Sequence, residues 1–414
     1  MIQGLKLFLY DLAIYGFIII GTISTILTYQ YDITYKQVYE DYNLYLYIAM
    51  SIIFISLLLS YIRNWKFIIL PYSLKLISQP KGEDKDTTVF IDRFVKFDRK
   101  RKILYFKNYN AIDVKMYRDN QKEILHYLGF YNKSIEIEIQ EYKRKWVKIQ
   151  LYELPYSFSF SITDLRPNCI YYGKFKDGNY YQPLDSQTSM ITVGESGSGK
   201  SNYMNLLIYS LFINMNKIDH IFLIDLKGVE LSQYNYKNTT FIDNIQGVSN
   251  TLKELKQIMY NRYKVMSEFG HKKFQGDSIY VVIDEVGTIG TYYDKKLRDS
   301  IFNDMIELFQ KSRACKIVFL LFAQKIDSTN LPSNVLTNIQ SRVLMKTDSD
   351  FNSNNTIGTK EFIEDITRVP VSNFNRGRLI FKDGETSNKE LLQVPFISDI
   401  AHKSLIHYFT HLNK

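Results

Sequence analysis

The chain has 414 residues, of which 45% are hydrophobic and 23% charged, a globular balance that excludes whole-chain disorder, collagen and coiled coil. Its two cysteines, Cys169 and Cys315, are far apart and form no CxxC pair, which argues against a disulfide-stapled secreted module and a cysteine-based zinc site. A formal net charge of +9 favours a polyanionic partner, either nucleic acid or an acidic lipid surface.

Two apolar stretches open the chain, at about 12–29 (LAIYGFIIIGTISTILTY) and 44–62 (LYLYIAMSIIFISLLLSYI), and neither contains a charged residue. Crossing the hydrocarbon layer takes about 17–25 residues, so both read as transmembrane helices and residues 1–70 as a membrane anchor. The linker carries Asp32, Glu40 and Asp41 against Lys36, whereas Lys6 precedes the first span and Arg63, Lys66, Lys75 and Lys81 follow the second. The bias of basic residues places both termini in the cytoplasm of a multi-pass protein of the cell membrane.

Residues 71–165 read as a small β-rich or α+β domain. Polar and apolar residues alternate at 87–97, 103–109, 134–139 and 146–152, the pattern of short strands, with one helix expected over 120–128. Basic clusters stand at Arg99-Lys100-Arg101-Lys102 and Lys143-Arg144-Lys145.

The segment 166–414 carries the chemistry. Met190-Ile191-Thr192-Val193 is strand-like, Gly194-Glu195-Ser196-Gly197-Ser198-Gly199-Lys200-Ser201 follows, and 202–215 reads as a helix. This is G-x-x-x-x-G-K-[ST] with a strand before it and a helix after. The glycines let backbone N–H groups turn toward phosphate oxygens, and the helix start adds partial positive charge there. Lys200 is expected to bridge the β- and γ-phosphates of ATP and Ser201 to ligate Mg²⁺.

A second strand, Ile279-Tyr280-Val281-Val282-Ile283, ends in Asp284-Glu285, the Walker B arrangement. Asp284 is expected in the Mg²⁺ shell, and Glu285 to orient or deprotonate the attacking water. Further apolar runs at 220–224, 316–322 and 341–345 alternate with helical stretches at 248–269 and 295–312. That alternation predicts an α/β fold, a P-loop NTPase with a RecA-like parallel sheet and helices on both faces. Gln324, at the end of the 316–322 run, is placed to sense the γ-phosphate.

These ordered motifs resemble the FtsK/SpoIIIE-type DNA-pumping ATPases over roughly 170–400. GESGSGKS stands where that family has its phosphate loop. Leu223 to Leu231 (LIDLKGVEL) is similar to its Asp-x-Lys segment, and Arg262 to Met266 to its helix before Walker B. Lys311 to Ile317 (KSRACKI), Phe322 to Lys325 (FAQK) and Leu336 to Met345 (LTNIQSRVLM) resemble further family stretches, with Lys325 where an Arg is usual. Gly377 to Phe381, running on to Val394, looks like the closing hairpin. The resemblance implies a homo-hexameric ring around DNA, with ATP between subunits and an arginine supplied across the interface, for which Arg313 and Arg342 are the matching positions. The layout of two expected spans, a short middle segment and one motor resembles the FtsK-like coupling proteins of Gram-positive conjugative plasmids and integrative elements.

The function expected is therefore a membrane-anchored DNA translocase that feeds a conjugative channel, with relaxase and channel proteins as further partners. Basic residues at His271-Lys272-Lys273 and Lys295-Lys296 are the candidate phosphate grips. Two other functions fit parts of the pattern: an ATPase that powers protein secretion, and a nucleotide-binding membrane scaffold that recruits relaxase and channel subunits.

Overall fold

The computed structural model describes residues 95–98, 102–107, 113–130, 135–143, 146–234, 236–326, 330–364, 366–367 and 369–412, together with scattered earlier positions of which 51–56 is the longest run. The two expected membrane spans lie largely outside the described residues, and among the described residues no helix is long and apolar enough to cross a membrane. The chain divides into two compact units, Met1–Tyr152 and Glu153–Lys414.

The first unit holds β1 (Val95–Asp98), β2 (Ile103–Lys107), α1 (Val114–Asp119), α2 (Gln121–Tyr127), β3 (Glu136–Tyr142) and β4 (Trp146–Tyr152). The strands form an antiparallel sheet in the order β1-β2-β4-β3. One face is apolar: Leu104, Ile137, Ile139, Val147, Ile149 and Leu151 cluster with Val114, Tyr117, Ile124 and Leu125 of the two helices. The helix expected over 120–128 is α2, and a further short helix that was not expected, α1, precedes it. Asn120 ends α1 and starts α2, and its side-chain amide donates to the Met116 carbonyl at 2.8 Å. Asp113 caps α1 by accepting from the Lys115 N–H.

The second unit begins ahead of the strand at Cys169. Its elements are β5 (Cys169–Phe175), β6 (Gly178–Pro183), β7 (Met190–Val193), α3 (Lys200–Phe212), β8 (Ile218–Asp225), β9 (Thr239–Ile242), α4 (Ile245–Phe269), β10 (Ser278–Asp284), α5 (Gly287–Gly290), α6 (Lys295–Lys311), β11 (Ile317–Ala323), α7 (Ser333–Thr337), β12 (Ser341–Met345), α8 (Asp350–Thr356), α9 (Lys360–Glu364), β13 (Arg378–Lys382), β14 (Lys389–Gln393) and α10 (Asp399–Leu412). They build a ten-stranded sheet in the order β6-β5-β14-β13-β12-β7-β11-β10-β8-β9. From β12 to β9 every pair is parallel, and from β12 back to β6 every pair is antiparallel. Residues 153–165 pack with this unit: Leu165 is in its core, and the Phe160 N–H donates to the Phe396 carbonyl at 3.0 Å.

The central strands are apolar throughout because both faces are covered. Leu223, Tyr280, Val282, Leu320 and Phe322 point to a core shared with α3 and α10. Their alternates, Phe222, Ile224, Val281, Ile283, Phe319 and Leu321, meet α4 and α6 through Leu252, Leu255, Met259, Ile301, Met305 and Leu308. In this arrangement the carboxyl ends of β7, β8, β10 and β11 share one edge of the sheet, where open α/β sheets bind ligands.

Candidate nucleotide site

β7 delivers the chain into the glycine loop at that edge. Gly197 and Gly199 have φ of +78° and +102°, values that side chains rarely tolerate. A Cβ at Gly199 would also stand 2.9 Å from the Gly377 nitrogen. Gly199 is the residue before α3, so the loop ends on the helix start. The loop is tied down from three sides. The Gly194 N–H donates to the Ala323 carbonyl (3.2 Å), the Glu195 N–H to Lys346 O (2.9 Å), and the Gly377 N–H to Ser198 O (2.8 Å). The Glu195 carboxylate accepts from the Asp348 N–H (2.7 Å) and the Thr347 hydroxyl (2.8 Å), and chiefly the former holds its pKa below the usual range.

Lys200 curls back over its own loop, and its ammonium donates to the carbonyls of Gly194 (2.5 Å) and Glu195 (3.0 Å). Burial lowers its pKa, while the charges of Glu285 and Asp284 oppose that shift. The Ser201 hydroxyl donates to Glu230 Oε1 at 3.1 Å.

The acidic side of the site is built by β8 and β10, which pair so that Asp225 and Asp284 stand opposite each other. Burial works against charge on Asp225. Its oxygens nevertheless accept from the backbone N–H groups of Lys227, Gly228, Val229, Glu230 and Leu231, and these outweigh burial and lower its pKa. Asp225 thereby folds the following loop into a cup and holds Glu230 next to Ser201. Glu285 sits at φ +49°, an uncommon position for a side-chain-bearing residue, and its Oε1 accepts from the Gln324 N–H at 3.1 Å. The contact recorded at Gln324 is thus made by its backbone, which couples the ends of β10 and β11.

Among the described residues Asp284 has no such backbone partners. Burial first, then the charges of Asp225, Glu230 and Glu285, raise its pKa to about 6. Crowded carboxylates of this kind are what a divalent cation relieves. Among the described residues no group of three or more His, Cys, Asp or Glu is arranged to hold a metal by itself. Mg²⁺ is commonly held by one or two carboxylates with phosphate oxygens and water, so Ser201 and Asp284 fit that ion as partial ligands.

The raised pKa has a consequence for stability. Asp284 has a folded pKa near 6 and an ordinary value of 3.8, so between these values the folded chain binds a proton that the unfolded chain has released. Stability contributed by this group is therefore lost as pH rises through that window. In EDTA, the unfolding temperature of the wild type should fall relative to that of Asp284→Asn as pH is raised from about 4 to about 7. A thermal-denaturation series on both proteins checks this, and parallel profiles would count against it.

The other predicted residues are spread more widely. Arg313 lies beyond α6, half exposed, and pairs with Glu385 at 2.5 Å. Arg342 on β12 donates to the carbonyls of Asn355 (2.6 Å) and Leu336 (3.0 Å), and burial lowers its pKa. It fastens α7 and α8 to the sheet. His271-Lys272-Lys273 precedes β10 and Lys295-Lys296 follows it, so the two basic clusters sit toward opposite edges. The Lys273 ammonium bonds the Asp185 carbonyl, ahead of β7. Only Lys295 and Lys296, at the capped start of α6, follow the carboxyl end of β10. Glu230 was not anticipated as a site residue. Its signal in the sequence is its place five residues after Asp225, on the loop that this strand-end acid organises.

Comparison with known proteins agrees with this geometry. Residues 167–369 match the FtsK/SpoIIIE family, a stretch that includes Lys200, Ser201, Glu230, Asp284, Glu285 and Gln324. The DNA translocase FtsK of Streptococcus agalactiae is 27% identical over 251 residues, 55% of this chain and 29% of that protein. The DNA translocase FtsK of Lactococcus lactis subsp. lactis is 25% identical over 258 residues, 56% of this chain and 32% of that protein. The matched stretch thus spans about a third or less of these relatives. Among solved structures, the fold resembles the pCW3 conjugation coupling protein TcpA in a monomer form with ATPγS. The TM-score is 0.56 at 20% identity, over 85% of this chain and 99% of that one. It also resembles ATPases 2 and 3 of EssC from Geobacillus thermodenitrificans, with a TM-score of 0.52 at 15% identity over 63% of this chain and 52% of that one. The glycine loop, the paired strand-end acids and the match at residues 167–369 together identify an FtsK/SpoIIIE-type P-loop ATPase domain in this chain.

Proposed function

We propose that the chain is an ATP-driven DNA translocase of the coupling-protein kind, anchored in the cell membrane with both termini in the cytoplasm, and that it delivers DNA to a conjugative transfer channel. The observation that carries this reading is the joined site: the phosphate loop of β7–α3 and the acids of β8 and β10 meet at one sheet edge. The likeness to TcpA supports the coupling-protein part, because it extends over 85% of this chain, well beyond the family match at 167–369.

In this reading the loop N–H groups and Lys200 bind the triphosphate, and Lys200 leaves the Gly194 and Glu195 carbonyls to do so. Ser201 and Asp284 would hold Mg²⁺, which when bound would supply positive charge against the phosphates. Glu285 accepts a proton from water as the water oxygen bonds the γ-phosphorus and the bond to the β-phosphate oxygen breaks. Arg313 reaches a neighbouring subunit's nucleotide in a homo-hexamer once released from Glu385, whereas Arg342 acts within its own subunit. Lys295 and Lys296 grip DNA phosphates, so movement is largely independent of sequence. A relaxase and channel proteins supply specificity.

DNA should stimulate ATP hydrolysis, and the stimulation should fall steeply as salt is raised from about 50 to about 200 mM, because each phosphate contact releases counterions. Phosphate-release rates with duplex, single-stranded and no DNA across a salt series test this. Equal rates in all three would overturn the translocase reading.

A further inference from the structure

We propose that the base of the bound nucleotide stacks in the cavity lined by Tyr156, Phe396 and Arg376, which makes these residues determinants of nucleotide affinity. The inference rests on the phosphate-loop reading and extends it to the other end of the ligand. A cavity of about 120 Å³ adjoins the loop, with Gly199 and Asn202 of the loop–helix junction in its wall. The charges of Asp284 and Glu285 act on Lys200 from the acidic side of the site, which is the γ-phosphate end. A nucleotide threaded that way leaves its sugar and base beside the loop–helix junction, where the cavity opens.

The cavity has the chemistry a base requires. Phe396 is 46% exposed and Tyr156 75% exposed, whereas Val394 and Ile397 beside Phe396 are buried at 2% and 6%. A large ring is thus left at the surface in a segment whose backbone is firmly held. The Phe396 N–H donates to Phe158 O (2.7 Å), and the Phe160 N–H to Phe396 O (3.0 Å). The Asn202 amide donates to Pro395 O (2.8 Å) and accepts from the Ile397 N–H (2.8 Å). The first turn of α3 therefore fixes the Phe396 segment relative to the phosphate loop, and Asn202 is a positioning residue. Tyr156 follows Pro155, whose carbonyl accepts from Arg378 at 3.0 Å. The Arg376 stem lies over the loop: its Cγ would be 3.4 Å from a Cβ at Gly199. Aromatic faces and guanidinium planes are the side-chain surfaces on which nucleobases stack.

The test uses the full chain in detergent, with two ligands. One is ATP, read by its KM for hydrolysis. The other is inorganic tripolyphosphate, which offers the phosphates without a base, read by its Ki as a competitor. Loss of a base–aromatic stack weakens binding by about 5- to 150-fold. Phe396→Leu and Tyr156→Ala should each raise the KM for ATP within that range and leave the Ki of tripolyphosphate within about twofold, while Phe396→Tyr should restore the KM. Lys200→Ala should lose both ligands. An unchanged KM in both aromatic variants, with Lys200→Ala still losing both ligands, would overturn the base site and leave the phosphate-loop reading standing. A parallel rise of KM and Ki would also overturn it, because that marks a distorted loop. A wild-type protein that binds neither ligand would remove the phosphate-loop reading and this inference together.

Discussion

Lys200→Ala is expected to reduce ATP hydrolysis by about a hundredfold or more, the scale on which removal of one preorganised donor to developing phosphate charge acts. The fold should survive. Among the described residues the ammonium donates only to carbonyls of its own loop, Gly194 and Glu195. Two hydrogen bonds from a charged donor contribute about 3–6 kcal/mol together, and their loss is offset by no longer burying a cation whose pKa is already depressed. The apolar stem and neighbouring core are untouched, so the unfolding temperature should move by no more than a few degrees. Phosphate-release kinetics and a thermal melt on the same preparation test both halves. Wild-type turnover in a folded variant would remove the loop from the chemistry, and a collapsed melt would mean that Lys200 also has a structural role.

The parts of this site legible from sequence are those that depend on local backbone constraint. A glycine loop between a strand and a helix has one chemistry that needs it, and Gly197 and Gly199 adopt the left-handed φ that the motif requires. Asp284 was legible because a fully apolar strand leaves its first polar residue at the sheet edge. What depends on tertiary pairing was not legible. Glu230 reaches Ser201 only because five N–H groups converge on Asp225. The basic runs at 271–273 and 295–296 look equivalent along the chain, yet β10 lies between them and carries one to each end. Arg342 reads as a mobile finger until the carbonyls of Leu336 and Asn355 are seen around it. The helix starting after Asn120 was legible, whereas α1, only 6 residues long, is too short to show a helical period along the chain. The hairpin of β13 and β14 stands where the closing hairpin was expected, but its pairing through β14 with the β5–β6 hairpin joins segments distant in sequence, which short-range alternation does not specify.

Glu285→Gln carries the second large effect and separates binding from bond cleavage. Loss of a general base slows a proton-transfer step by about 10²–10⁴-fold. Glutamine keeps a carbonyl oxygen, so it can still accept from the Gln324 N–H that Glu285 now accepts at 3.1 Å. The backbone at φ +49° need not change either. Removing a carboxylate also takes away one of the charges that raise the pKa of Asp284, so Asp284 should ionise more readily, and Mg²⁺ with nucleotide should bind at least as well as to the wild type. The expected result is a protein that binds ATP and hardly turns it over, read by equilibrium binding of radiolabelled ATP beside phosphate release. Glu285→Ala, which loses the Gln324 contact as well, should bind more weakly if that contact helps shape the site. Near-normal hydrolysis by the glutamine variant would transfer the base role to another acid of the cluster, and Glu230 is the one whose contact with Ser201 places it to inherit that role.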